Sequence, residues 1–137
     1  MDPVAHDRYL DIIASAAGPL GDAMGRMGIA AGVAARSPSP RHLEDARGTF
    51  VDVQSGASAF LHRLAGSRAP HYLRGADGQL QDALKLIVDG AQRGVTATDE
   101  RDGARLAAAA KEIDDATKDI VEAAGRITGW RSGQVAP

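Results

Sequence analysis

No cysteine occurs in the 137 residues, which excludes disulfide staples, thiolate zinc sites and cysteine nucleophiles. Asparagine is missing as well, so the chain has no N-glycosylation acceptor. Aromatic residues make up only 4 %, and a flat cofactor such as haem or flavin would find few stacking partners. No cofactor is expected. The net charge is −2 with acids and bases interspersed, and the concentrated basic footprint of a nucleic-acid binder is absent. RNA or DNA is not an expected partner. No window approaches the roughly 18 uninterrupted apolar residues of a membrane span. Asp2 and Asp7 give the N-terminus the wrong charge for a secretory signal. The expected compartment is the cytoplasm if Met1 is the native start, and extracytoplasmic if Met1 replaced a removed leader.

What remains is apolar spacing, and it is helical. Asp2-Pro3 reads as an N-cap acceptor followed by proline in a first turn, where its missing N–H costs nothing. Tyr9, Ile13, Ala16, Leu20, Ala23, Met27, Ala30 and Ala34 then recur in steps of three and four, one face of a helix. Gly18-Pro19 predicts a kink or a break in it, because proline removes a backbone bond and crowds the preceding turn. Ser37-Pro38-Ser39-Pro40 is a linker. The second helix spans about Arg41 to Leu64, with Leu43, Ala46, Phe50, Val53, Ala57, Phe60 and Leu64 as an unbroken seam. Pro70 is placed to open the third, whose seam is Leu73, Leu80, Leu84, Ile87, Val88 and Ala91, and Gly94 to close it. Hydroxyl caps at Thr96 to Thr98 predict the start of the fourth, with Leu106, Ile113, Ile120 and Ile127 as its seam. The expected fold is all-α: an antiparallel up-down-up-down four-helix bundle, one domain over residues 1–129, with 130–137 as a frayed or disordered tail.

Few residues point to chemistry. Gly18, Gly21, Gly25, Gly28 and Gly32 alternate three and four, so they line one stripe of the first helix. Each glycine costs a helix roughly 1 kcal/mol relative to alanine. Five of them imply a close contact, either with another helix of the bundle or with a protein partner, a second copy or a lipid interface docking on the stripe. His6, His42, His62 and His71 show no pair at ligand spacing and no Glu-x-x-His, so no metal site is expected. His42 near Glu44 and Asp45 suits a capping cluster. Lys111–Asp115, Asp114–Lys118 and Lys118–Glu122 read as i,i+4 pairs on a solvated face. No nucleophile elbow or phosphate loop is present, and a small ligand between helices near Pro19 stays open.

Two resemblances add to this. His71-Tyr72-Leu73-Arg74-Gly75-Ala76 resembles the H-x-L-K-G-A signature of histidine phosphotransfer domains, which are also four-helix bundles. The resemblance implies His71 as phospho-acceptor, Arg74 as phosphate partner and Gly75 as the residue leaving room for a response regulator. Arg74 stands where the signature has lysine, and Pro70 places His71 in a first turn instead of mid-helix. The Tyr9 to Leu20 opening, the Leu43 to Leu64 seam, the proline near position 70 and the alanine-rich last helix resemble a second group. These are small Ala-rich four-helix domains, often exported lipoproteins of high-GC Gram-positive bacteria. That likeness implies a non-enzymatic, interaction or envelope-associated role.

Overall fold

The computed structural model describes the backbone over residues 3–133 and the side chains between 6 and 127. Four α-helices follow one another: α1 (Pro3–Arg36), α2 (Pro40–Gly66), α3 (Arg74–Asp99) and α4 (Gly103–Gly133). A 3-10 turn over His71–Leu73 precedes α3. Each helix packs on its neighbours around a ring, α1 on α2, α2 on α3, α3 on α4 and α4 back on α1. The α1–α4 seam is the least extensive. Short links join long rods, so the architecture is the antiparallel up-down-up-down four-helix bundle the spacing implies.

Local chemistry explains the ends. Ser39 caps α2 by accepting the His42 amide at 3.2 Å, and Pro40 takes the first-turn position that needs no donor. Asp102 caps α4 by accepting the Arg105 amide at 3.1 Å. The α2 seam is buried at all seven expected positions, from Leu43 to Leu64. Leu106, Ile113, Ile120 and Ile127 are buried with Ala109, Ala116 and Ala123 between them. These small residues let α4 sit close to its neighbours.

Two boundaries differ from the spacing argument, and of the kink or break expected at Gly18-Pro19 the break is absent. Pro19 lies inside an uninterrupted α1, so the first segment is one helix and not two. Its neighbours Leu20 and Ala23 are buried, and their packing carries the helix through the lost bond. Gly94 does not close α3: it sits buried in mid-helix, facing the Phe50 ring. Thr96, Ala97 and Thr98 consequently belong to α3, with the buried Thr98 hydroxyl donating to the Val95 carbonyl at 2.7 Å. Lastly, α4 runs past Gly129 to Gly133, and the rest of the expected tail, 134–137, lies outside the described residues.

The real end of α3 is a Schellman turn. The Asp102 amide donates to the Ala97 carbonyl at 3.0 Å and the Arg101 amide to Thr98 at 3.2 Å. This geometry holds Arg101 at φ 55°, the left-handed region that disfavours a side chain. Arg101 is exposed. Replacing Arg101 with glycine is expected to stabilise the fold by about 0.5–1 kcal/mol, read as a raised urea midpoint with unchanged slope.

Candidate functional site

The glycine stripe sits where the bundle leaves α1 uncovered. Gly18, Gly21, Gly25 and Gly28 are exposed and Gly32 is half-buried. A Cβ built on any of the five would meet no atom within 4 Å outside its own local helix. Packing against another helix of the bundle therefore does not account for them. The core turns to a different face of α1, through Tyr9, Ile13, Leu20, Ala23, Met27, Ala31 and Ala34. Gly21, Gly25 and Gly28 form one bank of a groove along the α1–α4 seam, with Met24 beside them and Ala110, Asp114 and Thr117 opposite. It encloses about 500 Å³. The Thr117 hydroxyl lies 3.3 Å from the Met24 sulfur and 2.7 Å from the Ile113 carbonyl, which it donates to. On the α2 side of the stripe stands Ile29, 73 % exposed, beside Arg26, Val33 and the α2 residues His42 and Asp45.

Two other glycines do the close packing that the stripe does not. A Cβ on Gly94 would lie 2.6 Å from Phe50 Cγ, and one on Gly90 would lie 3.0 Å from Ile113 Cγ1. These two, four residues apart on the buried side of α3, bring α2 and α4 close to its axis.

The phosphotransfer-like residues are spread over one end of the bundle. His71 is exposed but lies in the 3-10 turn before α3, and Arg74 is the first residue of the helix proper. The Arg126 guanidinium lies over Gly75, its Nη2 3.6 Å from where a Cβ would be, and Nη1 donates to Gln79 at 2.6 Å. An arginine of α4 thus flanks Gly75, which is itself exposed.

At this same end is a polar network that the apolar spacing did not announce. Tyr9 is buried, and its hydroxyl donates to Asp77 Oδ1 at 2.5 Å. Asp77 Oδ2 accepts from Gln81 at 2.8 Å. Burial, reinforced by the Asp77 carboxylate, holds the Tyr9 phenol well above its ordinary value, so it stays a proton donor. One turn before it, the buried His6 shares a 2.8 Å hydrogen bond with the Tyr72 hydroxyl, the two rings stacked. The signal available was a histidine three residues before Tyr9 on the same face, a polar group on an apolar stripe.

Several charged groups of α3 and α4 pair with one another. Arg93 pairs with Glu112, and Arg105 with Glu100 at 3.0 Å and Asp102 at 3.4 Å. The α3–α4 groove these arginines rim therefore presents no unneutralised cation. Lys111 pairs with Asp115 at 3.0 Å as its spacing implies, which raises the lysine and lowers the carboxyl. Lys118 turns back to Asp115 at 3.8 Å, in place of the expected Asp114 and Glu122. His42 Nδ1 donates to the Ser37 carbonyl at 2.7 Å, closing the α1–α2 link. Among the described residues no group of three or more His, Asp or Glu is placed to hold a metal ion, and no helix is long and apolar enough to cross a membrane.

No protein-family model matches the sequence, and no match is found among the curated proteins or the solved structures.

Proposed function

We propose that this chain is a non-catalytic helical-bundle module that acts by protein contact, through partner binding or self-association, on the outer face of α1. One observation carries the reading: five glycines at helical spacing lie over open space, where nothing inside the bundle uses them. Exposed glycine weakens a helix by roughly 1 kcal/mol per residue relative to alanine, with no compensating contact inside the fold. A surface stripped of side chains lets another backbone approach closely, and that approach supplies the compensation. Ile29, one helical turn from Gly25, adds apolar area beside it.

Light scattering on the protein and on Gly25→Leu tests the reading. The new side chain enters open space, so the fold and its thermal midpoint are expected to hold or rise slightly. Association is expected to fall at least tenfold. A strictly monomeric protein removes self-association and leaves partner binding, whereas association untouched by Gly25→Leu removes this face from the account.

A further inference from the structure

We infer that the occupant of the α1 face is a second copy of this chain, its α1 laid antiparallel to the first about a two-fold axis between residues 23 and 24. This rests on the α1 face being the contact surface, and goes beyond it by naming what covers that surface.

The argument is the symmetry of one exposed edge. Asp11, Gly18, Asp22, Gly25, Ile29 and Arg36 follow one another in steps of seven, four, three, four and seven residues. Such steps keep all six on one side of a helix. All six are exposed. The series of steps reads the same from either end, so a copy turned end over end meets it position by position. Asp11 then faces the partner's Arg36, Ile29 faces the partner's Gly18, and Asp22 faces the partner's Gly25 with the partner's Arg26 beside it.

Each pairing is complementary. Ile29 is the most exposed large apolar side chain among the described residues, and Gly18 offers bare backbone over open space to receive it. Asp11, Asp22, Arg26 and Arg36 take part in no ion pair among the described residues. An antiparallel pair brings acid to base at both ends. A parallel pair would set Asp11 against Asp11 and Arg36 against Arg36, so charge selects the orientation. The contact is isologous and closes at two copies.

A charge-reversal pair tests this. Asp11→Arg alone sets the new arginine against the partner's Arg36 twice, and Arg36→Asp alone sets acid against acid twice. Each variant alone is expected to self-associate about tenfold more weakly than the unmodified protein in sedimentation equilibrium. An equimolar mixture is expected to recover the original dimer strength, because each reversed charge then meets its opposite. Self-association is also expected to weaken as salt is added. Association that is lost in Gly25→Leu but not restored in the mixture overturns the antiparallel second copy and leaves the α1 face standing. Association indifferent to Gly25→Leu and to both reversals overturns the two together.

Discussion

Gly94→Ala is expected to destabilise the bundle by about 3 kcal/mol, although alanine is the better helix former by roughly 1 kcal/mol. The added methyl would lie 2.6 Å from Phe50 Cγ, well inside contact distance. Phe50 is fully buried against α3 and its neighbours, so its ring has nowhere to turn. The helices α2 and α3 must separate, and the seam that begins at Leu43 loses register with them. A drop of around 10 °C in the thermal midpoint would report it, at ~3 °C per kcal/mol for a domain of this size. Phe50→Leu gives the methyl room. The double variant Gly94→Ala/Phe50→Leu is expected to cost clearly less than the sum of the two single changes, the signature of direct contact. Strict additivity would show that the clash is not what limits the site. Gly25→Ala is the internal control, since the same chemical change in open space has the opposite expected sign.

Tyr9→Phe is expected to cost about 2 kcal/mol near neutral pH, the range for losing a hydrogen bond to a charged acceptor. Gln81 still serves Asp77 at 2.8 Å, so the carboxylate keeps a partner. The pH dependence separates the contribution of the buried, bonded hydroxyl from the packing of the ring itself. In the unfolded chain a tyrosine ionises near pH 10. In the fold, burial and then the Asp77 carboxylate push Tyr9 well above that. Below pH 10 both states hold the proton and the stabilisation is complete. Above it the unfolded chain releases a proton that the folded one retains, and stability falls by up to ~1.4 kcal/mol per pH unit. Phenylalanine has no such proton. The gap between Tyr9→Phe and the unmodified protein is therefore expected to narrow as urea titrations move from pH 9 to pH 12. A gap that stays constant over that range would mean that burial and the carboxylate do not hold the proton on the phenol.

The seams were legible because they rest on a single periodic force. Leu43 to Leu64 and Leu106 to Ile127 bury apolar area about once per turn, and the spacing alone identifies them. The role of each glycine was not legible, because glycine's meaning depends on what stands opposite it. Gly94 has the composition of a helix stop and is instead the place where Phe50 enters α3. The stripe from Gly18 to Gly32 has the composition of a tight helix crossing and instead faces open space. Thr96 and Thr98 resemble caps, yet the Schellman turn at Arg101 and the Asp102 cap set the boundary. Tertiary pairings such as Tyr9–Asp77 and His6–Tyr72 join residues far apart in the chain, beyond the reach of local spacing.

Three of the four seams join helices that are consecutive along the chain, and each can zip up behind a short hairpin with little loop entropy to overcome. Only the thin α1–α4 seam must bring the first element back to the last. The first rod is thus the one that docks late and peels early. A partner that spanned this seam from α1 to α4 would clamp the ring shut, coupling recognition to closure of the whole assembly.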